Sequence, residues 1–244
     1  MVQIGEIIRG RSDLSAFVVH FTRGEDPEAN IKDMLNQRQI DARNRHGWHL
    51  GAVGAAGLKA VCFTETPLEF LSSMCGPIQG RNVQLSEWGL GFGKYTARLL
   101  GANPVMYVHG FPNKGGGANQ PANALNRLRV AVEGHHSGVA PLPPAVAAAS
   151  ATILAFASRM QRAGGPNEWW WEREWRCVGD FRFTYPDVAF GLAPRDRVED
   201  MEAWVLTETG HPMRFLSPSW TIEEAIGHLA GVPADDLPWP RPRY

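Results

Sequence analysis

Residues 169–178 read WWWEREWRCV, and this stretch determines how the rest of the sequence is interpreted. Tryptophans and charged residues follow one another in a way that is typical of a β-strand with different surroundings on its two faces. We therefore predict a strand over residues 169–178. One face of that strand would carry Trp170, Glu172, Glu174 and Arg176.

Two carboxylates and a guanidinium on one strand face need an explanation. Charged side chains are rare in a buried strand unless they form ion pairs or serve the function of the protein. One interpretation is an edge strand with cross-strand ion pairs and a tryptophan anchor. The other is a carboxylate, Glu174, held rigidly at the wall of a pocket, where it can bind a ribose hydroxyl or stabilise a cation. The residues by themselves leave both open.

Further strands and helices are predicted on either side of this stretch. Apolar runs predict strands over residues 16–21, 58–63, 88–93, 104–109, 188–192 and 203–206. Helical spacing, capping boxes and prolines predict helices over 27–40, from Thr66 onward, 95–100, 122–132, 144–162 and 221–229. Residues 43–57, rich in glycine, histidine and arginine, are predicted as a long loop.

This mixed order of elements favours an α+β fold over a doubly wound parallel sheet. No linker separates two self-sufficient patterns, so we predict a single domain over residues 1–237, with a mixed central sheet and flanking helices. A Pro-rich tail would follow over residues 238–244.

Composition limits the class of protein and its compartment. The 244 residues carry a formal net charge of −1 and no basic tail, which argues against general nucleic-acid binding. Cys62, Cys75 and Cys177 have no disulfide or zinc spacing, and an odd count without a secretion signal indicates a reducing compartment. We expect a cytoplasmic protein without a membrane partner, because no apolar stretch is long enough to span a bilayer.

Two short motifs place polar residues at the ends of predicted strands. His20 and Thr22 follow the apolar run of residues 16–21, where either a binding site or a hydrogen-bonded core histidine with a threonine cap would suit them. Thr64, Glu65 and Thr66 follow the second strand. Thr66 is predicted to be a helix N-cap, whereas Glu65 has no evident structural role.

The glycine and histidine motifs do not predict a phosphate-binding or metal-binding site. GLGFGK, residues 89–94, lacks the spacing of a phosphate loop and predicts a strand that another element approaches closely. The histidine pairs at 46/49 and 135/136 lack the carboxylate or cysteine companions of a metal site, so we expect no bound metal.

The order of these motifs along the chain resembles a known family. HFT, VCFTETPL, WGLGFGK, NPVMYV and EREWR follow one another over residues 18–178. This order is similar to that of the AbiGi family of abortive-infection (phage-resistance) proteins, and more loosely to the DarT-like ADP-ribosyltransferases. The resemblance implies an ADP-ribosyltransferase-like fold and NAD as the substrate.

The resemblance also implies roles for individual residues. His20 and Thr22 match the first NAD-contacting motif, and Phe63 and Thr64 fall at the second. Glu174 matches the late catalytic glutamate, with His20 as its catalytic partner and Arg176 as a further NAD contact. The chain departs from the DarT-like pattern at the second motif, where Thr-Glu-Thr stands in place of an arginine that grips the dinucleotide.

The resulting expectation is an NAD-dependent ADP-ribosyltransferase or NAD glycohydrolase, acting as an antiphage or toxin–antitoxin effector. Its partners would be a protein or nucleic-acid acceptor and a cognate antitoxin or phage trigger. Two alternatives stay open. One is a non-catalytic binding or regulatory module whose tryptophans line a partner surface. The other is a metal-dependent nuclease that uses Glu172, Glu174 and His20.

Overall fold

The structure of the chain is a computed structural model that describes residues 15–45, 47–48, 58–78, 84–109, 120–160 and 170–232. The strands are β1 Phe17–Phe21, β2 Gln39–Ile40, β3 Asn44–Arg45, β4 Lys59–Thr64, β5 Gly89–Gly93, β6 Asn103–Pro104, β7 Met106–Val108, β8 Ala157–Arg159, β9 Glu174–Val178, β10 Phe181–Arg182, β11 Val188–Leu192 and β12 Phe215–Leu216. The α-helices are α1 Pro27–Gln37, α2 Leu71–Cys75, α3 Lys94–Leu99, α4 Gln120–His136, α5 Pro144–Phe156, α6 Val198–Thr209 and α7 Ile222–Leu229. Short 3-10 helices cover Leu68–Phe70, Trp170–Glu172, Tyr185–Asp187 and Arg195–Arg197.

The described residues belong to two compact units, and each unit combines separate parts of the chain. The first unit draws on Met1–Gln37, Thr66–Gly93 and Thr184–Tyr244. The second draws on Arg38–Glu65 and Lys94–Phe183. The predicted α+β class with a mixed sheet and flanking helices is confirmed, while the prediction of a single domain stays a prediction. The Pro-rich tail over residues 238–244 lies outside the described residues.

The first unit contains a mixed sheet in the order β12-β11-β5-β1. β5 pairs antiparallel with both β1 and β11, and β11 pairs parallel with β12. β1 is apolar on both faces, since its neighbours Val18 and Val19 are both buried. Residues of β1, β11 and β12 pack with Leu71 and Met74 of α2 in one apolar cluster.

Glycines of β5 make room for an aromatic ring. Leu90 and Phe92 are fully buried, and the glycines alternate with them on the other face of the strand. A Cβ on Gly91 would lie 2.4 Å from the Phe190 ring, and one on Gly89 would lie 2.6 Å from the His20 carbonyl oxygen. The predicted close approach of another element to GLGFG is confirmed.

Gly91→Ala should therefore destabilise the first unit by about 1–3 kcal/mol, because the added methyl group would overlap Phe190. The matched control is Gly76→Ala, where an added Cβ meets nothing within 4 Å and the backbone φ of −78° suits any residue. The control should change the free energy of unfolding by less than about 0.5 kcal/mol. Urea unfolding followed by circular dichroism measures both, and equal effects would contradict the packing argument.

The second unit contains a sheet in which β9 lies between β4 and β6. β9 pairs antiparallel with both β4 and β6, and β3 pairs antiparallel with β4. The same unit holds two smaller pairs, β2 with β10 and β7 with β8. Helices α4 and α5 supply most of its apolar cluster, in which Trp48, Leu125, Val132 and Leu154 are buried.

The start of β9 differs from the prediction of a strand over residues 169–178. Trp170–Glu172 is a 3-10 helix, and Arg173 adopts a left-handed conformation with φ +45°. This conformation interrupts an extended chain, so the strand begins at Glu174. The prediction that Trp170 and Glu172 share a face with Glu174 is therefore wrong, and Trp169 lies outside the described residues.

The predicted strand over residues 203–206 is also wrong, because these residues lie within helix α6. Val198, Met201 and Val205 are buried at helical spacing, and Gly210 ends the helix in the left-handed conformation with φ +66°. The short apolar run AWVL has strand propensity, but the longer helical periodicity decides the structure.

Several helix boundaries were also predicted incorrectly. Helix α1, predicted over residues 27–40, ends at Gln37, and Gln39–Ile40 forms β2. Thr66 is not an N-cap, because Pro67 is extended at ψ 148° and the first helical turn starts one residue later at Leu68. Helix α5 ends at Phe156 rather than at residue 162, since the chain turns there into β8 and pairs with β7. The capping box of Thr221 with Glu224 is confirmed at the start of α7.

Only part of the predicted loop over residues 43–57 is described. Asn44–Arg45 pairs with β4, and Trp48 is buried against α4 and α5. Within the described residues, none of the helices has the length and apolarity that crossing a bilayer requires.

Candidate functional site

Glu174 stands at the start of β9, a strand with neighbours on both sides. Its Cα partner on β4 is Thr64, and Arg176 faces Cys62 on β4 and Asn103 on β6. The interpretation of this segment as an edge strand is therefore wrong. Because side chains alternate along a strand, Glu174 and Arg176 share one face, as predicted, together with Cys62 and Thr64.

Arg176 and Glu174 form a two-point ion pair on this face. The Arg176 Nε donates to Glu174 Oε1 at 2.9 Å, and its Nη2 donates to Oε2 at 2.6 Å. The remaining Nη1 donates to the carbonyl oxygen of Ala155 at 2.6 Å. A guanidinium and a carboxylate match in this planar geometry, which fixes the orientation of both side chains.

The Ala155 contact ties β9 to the carboxyl end of helix α5. The last carbonyl groups of a helix lack intrahelical partners and carry partial negative charge. In α5, Ile153 O accepts from Ala157 N, Leu154 O accepts from Trp48 N and Ala155 O accepts from Arg176. Arg176 therefore completes the helix end as well as the ion pair.

The two members of the pair differ in exposure. The Arg176 side chain is 3% exposed, whereas the Glu174 side chain is 15% exposed. Burial opposes the charge on Arg176, but the Glu174 carboxylate outweighs it, so the pKa of the guanidinium is raised above its usual value. The guanidinium is therefore held in its charged form, and the carboxylate is the more accessible end of the pair.

Three further polar groups surround Glu174. The Tyr107 hydroxyl accepts a hydrogen bond from the Glu174 backbone N–H at 3.0 Å. The Thr64 hydroxyl donates to the Glu172 carbonyl oxygen at 2.7 Å. Burial raises the pKa of the Cys62 thiol well above its usual value, and the Glu174 carboxylate adds to that rise. Cys62 is therefore held as a neutral thiol rather than as a nucleophilic thiolate.

A second carboxylate, Glu65, organises the opposite face of the same two strands. Its Oε1 pairs with Lys94 Nζ at 2.9 Å and with Arg173 Nη1 at 3.8 Å, and its Oε2 accepts from Trp175 Nε1 at 2.8 Å. Glu65 thus has a structural role that the sequence did not reveal. The lysine that gives GLGFGK its likeness to a phosphate loop is a partner in this cluster.

His20 and Thr22 belong to the first unit. His20 pairs with Leu90 across β1 and β5 and is partly buried. Thr22 is buried, and its hydroxyl lies 2.7 Å from the Ser86 hydroxyl and 3.2 Å from the Trp88 carbonyl oxygen. These contacts give Thr22 a structural role as a link between the end of β1 and the segment before β5.

The structure brings some of the predicted site residues together. Glu174, Arg176 and Thr64 lie side by side in the second unit. Phe63 lies on the opposite face, is 2% exposed and packs edge-on against Phe181 with ring centroids 4.9 Å apart. The convergence of His20 with Glu174 stays a prediction, since the two residues belong to different units.

Tyr107 and the carbonyl of Ala155 are site components that sequence reasoning missed. Both lie far from Glu174 along the chain, and NPVMYV and ILAF carry no sequence signal for such a contact. Cys62 could have been found, because it lies two residues before Thr64 and therefore on the same strand face.

No three His, Cys, Asp or Glu side chains of the described residues lie close enough together to hold a metal ion. The nuclease alternative therefore has no ligand cluster in this part of the chain.

No protein-family model, curated protein or solved structure matches the chain.

A double-mutant cycle measures how strongly the ion pair is coupled. Glu174→Gln leaves a buried guanidinium without its counter-charge and should lower the free energy of unfolding by about 3–5 kcal/mol. Glu174→Gln combined with Arg176→Met removes both charges. It should therefore cost at least about 1 kcal/mol less than the sum of the two single changes.

Urea denaturation of the wild type, both single variants and the double variant supplies the four free energies of this cycle. Strict additivity would show that the two side chains are not coupled, contrary to the geometry.

Proposed function

We propose that this chain is an NAD-consuming effector with an ADP-ribosyltransferase-like fold, and that Glu174 is its reacting carboxylate. The activity would be ADP-ribosyl transfer or NAD hydrolysis, in phage defence or a toxin–antitoxin pair. The observation that supports this most is the ion pair of Glu174 with Arg176, which orients a partly exposed carboxylate on a central strand.

The proposal requires this carboxylate to accept a hydrogen bond from a ligand. Arg176 donates one hydrogen bond to each carboxylate oxygen. A carboxylate oxygen accepts more than one hydrogen bond, so a ribose hydroxyl would add to the contacts that Glu174 makes. Since the carboxylate is already fixed, binding would not have to order it, and this favours a reactive orientation of the sugar.

The charge on Arg176 limits what Glu174 can do. A carboxylate in a two-point pair with a guanidinium presents much less net negative charge than an isolated one. Glu174 would therefore mainly orient the ribose 2′-hydroxyl and place the negative side of the ion pair next to the sugar. Such fixed dipoles are effective where water is scarce, because the local dielectric constant is low.

The proposed reaction starts with cleavage of the bond between ribose C1′ and the nicotinamide nitrogen. The bonding electron pair passes to that nitrogen, so the positively charged pyridinium becomes neutral nicotinamide. Positive charge develops on the ribose, and Glu174 stabilises it. A nucleophile then bonds to C1′ and loses a proton, and that nucleophile is water in hydrolysis or a protein or nucleic-acid group in transfer.

The resemblance adds further NAD contacts to this proposal. His20 would assist Glu174 in catalysis, and Thr22, Thr64 and Arg176 would contact the dinucleotide. Of these, Arg176 has the best-defined part, which is to hold Glu174 in place. Buried Phe63 would act through packing. A cognate antitoxin or a phage component would control access to the site.

Nicotinamide release from NAD tests the proposal directly. The wild-type chain should release nicotinamide, measured by liquid chromatography. The Glu174→Gln/Arg176→Met variant, which removes both charges together, should lose at least about a hundredfold of that rate, because it lacks the reacting carboxylate. The rates apply to protein shown by circular dichroism to be folded.

The matched control is Glu65→Gln, which alters a carboxylate of the same strand pair on the opposite face. It should release nicotinamide within about threefold of the wild-type rate. The proposal fails if the wild-type chain releases none, or if folded protein without the Glu174 carboxylate releases it at the wild-type rate.

A second candidate function is a binding module without catalysis, and the tryptophans before β9 favour it. Trp170 and Trp171 are 46% and 37% exposed, and they are adjacent on a 3-10 helix. Exposed tryptophans are frequent anchors of protein interfaces, because a large rigid apolar surface gains most from leaving water.

Double substitution of these tryptophans by alanine separates the two candidates. In a binding module, Trp170→Ala/Trp171→Ala should abolish co-purification of a partner from the native host, at an unchanged melting temperature. In the NAD-consuming enzyme, the wild-type chain should release nicotinamide without any partner of this kind.

A further inference from the structure

Tyr107 has a hydroxyl group beside Glu174 that no part of the proposed reaction uses. It lies in β7 of the second unit, and its side chain is partly buried. Its hydroxyl oxygen accepts the backbone N–H of Glu174 at 3.0 Å. The phenol is thus positioned by the same residue that carries the candidate reacting carboxylate.

The hydroxyl proton of Tyr107 is available for another contact. A phenol hydroxyl is one donor as well as an acceptor, and only its acceptor side is used by Glu174. Within the described ranges, no hydrogen bond uses this proton. A polar group of this kind in a partly buried position normally finds a partner, because a hydrogen bond left unmade is costly.

The surroundings keep this phenol protonated. Burial raises the pKa of Tyr107 above its usual value, and the negative charge of Glu174 adds to the rise. The charge of Glu172 acts in the same direction. The raised pKa therefore favours the neutral phenol, which is a hydrogen-bond donor, at neutral pH.

We infer that Tyr107 is a ligand-binding residue of the Glu174 site, where its hydroxyl donates to an oxygen of a ribose-type sugar. This inference rests on the proposed function for the position of the sugar, and it adds a second point of contact. A sugar presents neighbouring hydroxyl groups, each of which both donates and accepts hydrogen bonds. One can donate to Glu174 while an adjacent oxygen accepts from Tyr107.

This arrangement predicts a preference for vicinal diols. The carboxylate supplies only acceptors and the phenol supplies a donor, so a ligand that contacts both must offer a donor and an acceptor side by side. A ribose with free 2′- and 3′-hydroxyls meets this requirement, whereas a 2′-deoxyribose lacks one of the two groups.

Binding of ADP-ribose to the whole chain, measured by isothermal titration calorimetry, tests the inference without requiring turnover. Tyr107→Phe should weaken ADP-ribose binding about tenfold, as loss of one hydrogen bond would. The matched control is Tyr95→Phe, which removes the hydroxyl of a tyrosine that is 67% exposed. It should leave binding unchanged. Equal affinities of the wild-type protein and the folded Tyr107→Phe variant would overturn the inference.

Fluorine NMR gives a second measurement, made on the wild-type protein, in which the variant serves only to assign a signal. The chain has four tyrosines, so 3-fluorotyrosine labelling gives four signals, and the one absent from Tyr107→Phe belongs to Tyr107. This signal should shift when ADP-ribose is added to the labelled wild-type protein. No shift at saturating ADP-ribose would overturn the inference.

The two proposals fail in different ways. If ADP-ribose binds through Tyr107 but NAD releases no nicotinamide, the sugar site stands and the enzymatic proposal is wrong. If nicotinamide is released and KM for NAD is the same in the wild type and Tyr107→Phe, the enzyme stands and the role of Tyr107 is wrong. Failure of both binding and turnover would overturn both.

Discussion

The buried positive charge of Arg176 is the constraint on which the second unit depends. A guanidinium that is 3% exposed must find negative partners, because an uncompensated charge in such surroundings costs several kcal/mol. It finds two, the Glu174 carboxylate on its own strand and the Ala155 carbonyl at the end of α5. One side chain thus fixes a carboxylate and attaches a helix to a sheet.

In the proposed function, a structural and a chemical role would coincide at Glu174. The hydrogen bonds through which Glu174 neutralises Arg176 also hold the carboxylate rigid, as the proposed reaction would require. Glu65 shows what a purely structural carboxylate looks like in the same strand pair. Its oxygens are shared among Lys94, Arg173 and Trp175, and the residue is 8% exposed.

Much of the fold could be predicted from the sequence, because periodicity reports local burial. The strand over GLGFG, the helix that begins at Pro27 and the capping box at Thr221 each depend on neighbours within a few residues. The errors arose where short and longer patterns disagreed. AWVL has strand propensity over four residues but belongs to a twelve-residue helix, and Arg173 breaks the strand through a backbone conformation that composition does not reveal.

The sequence by itself determined the α+β class and the unusual charges of the segment around Glu174, and alternation placed Glu174 and Arg176 on one face. Only the tertiary structure decided what those charges contact. That β9 has neighbours on both sides, that Arg176 reaches the end of α5 and that Tyr107 receives the Glu174 N–H all depend on segments distant along the chain. Such contacts follow from how strands and helices pack, and local residue patterns do not predict that packing.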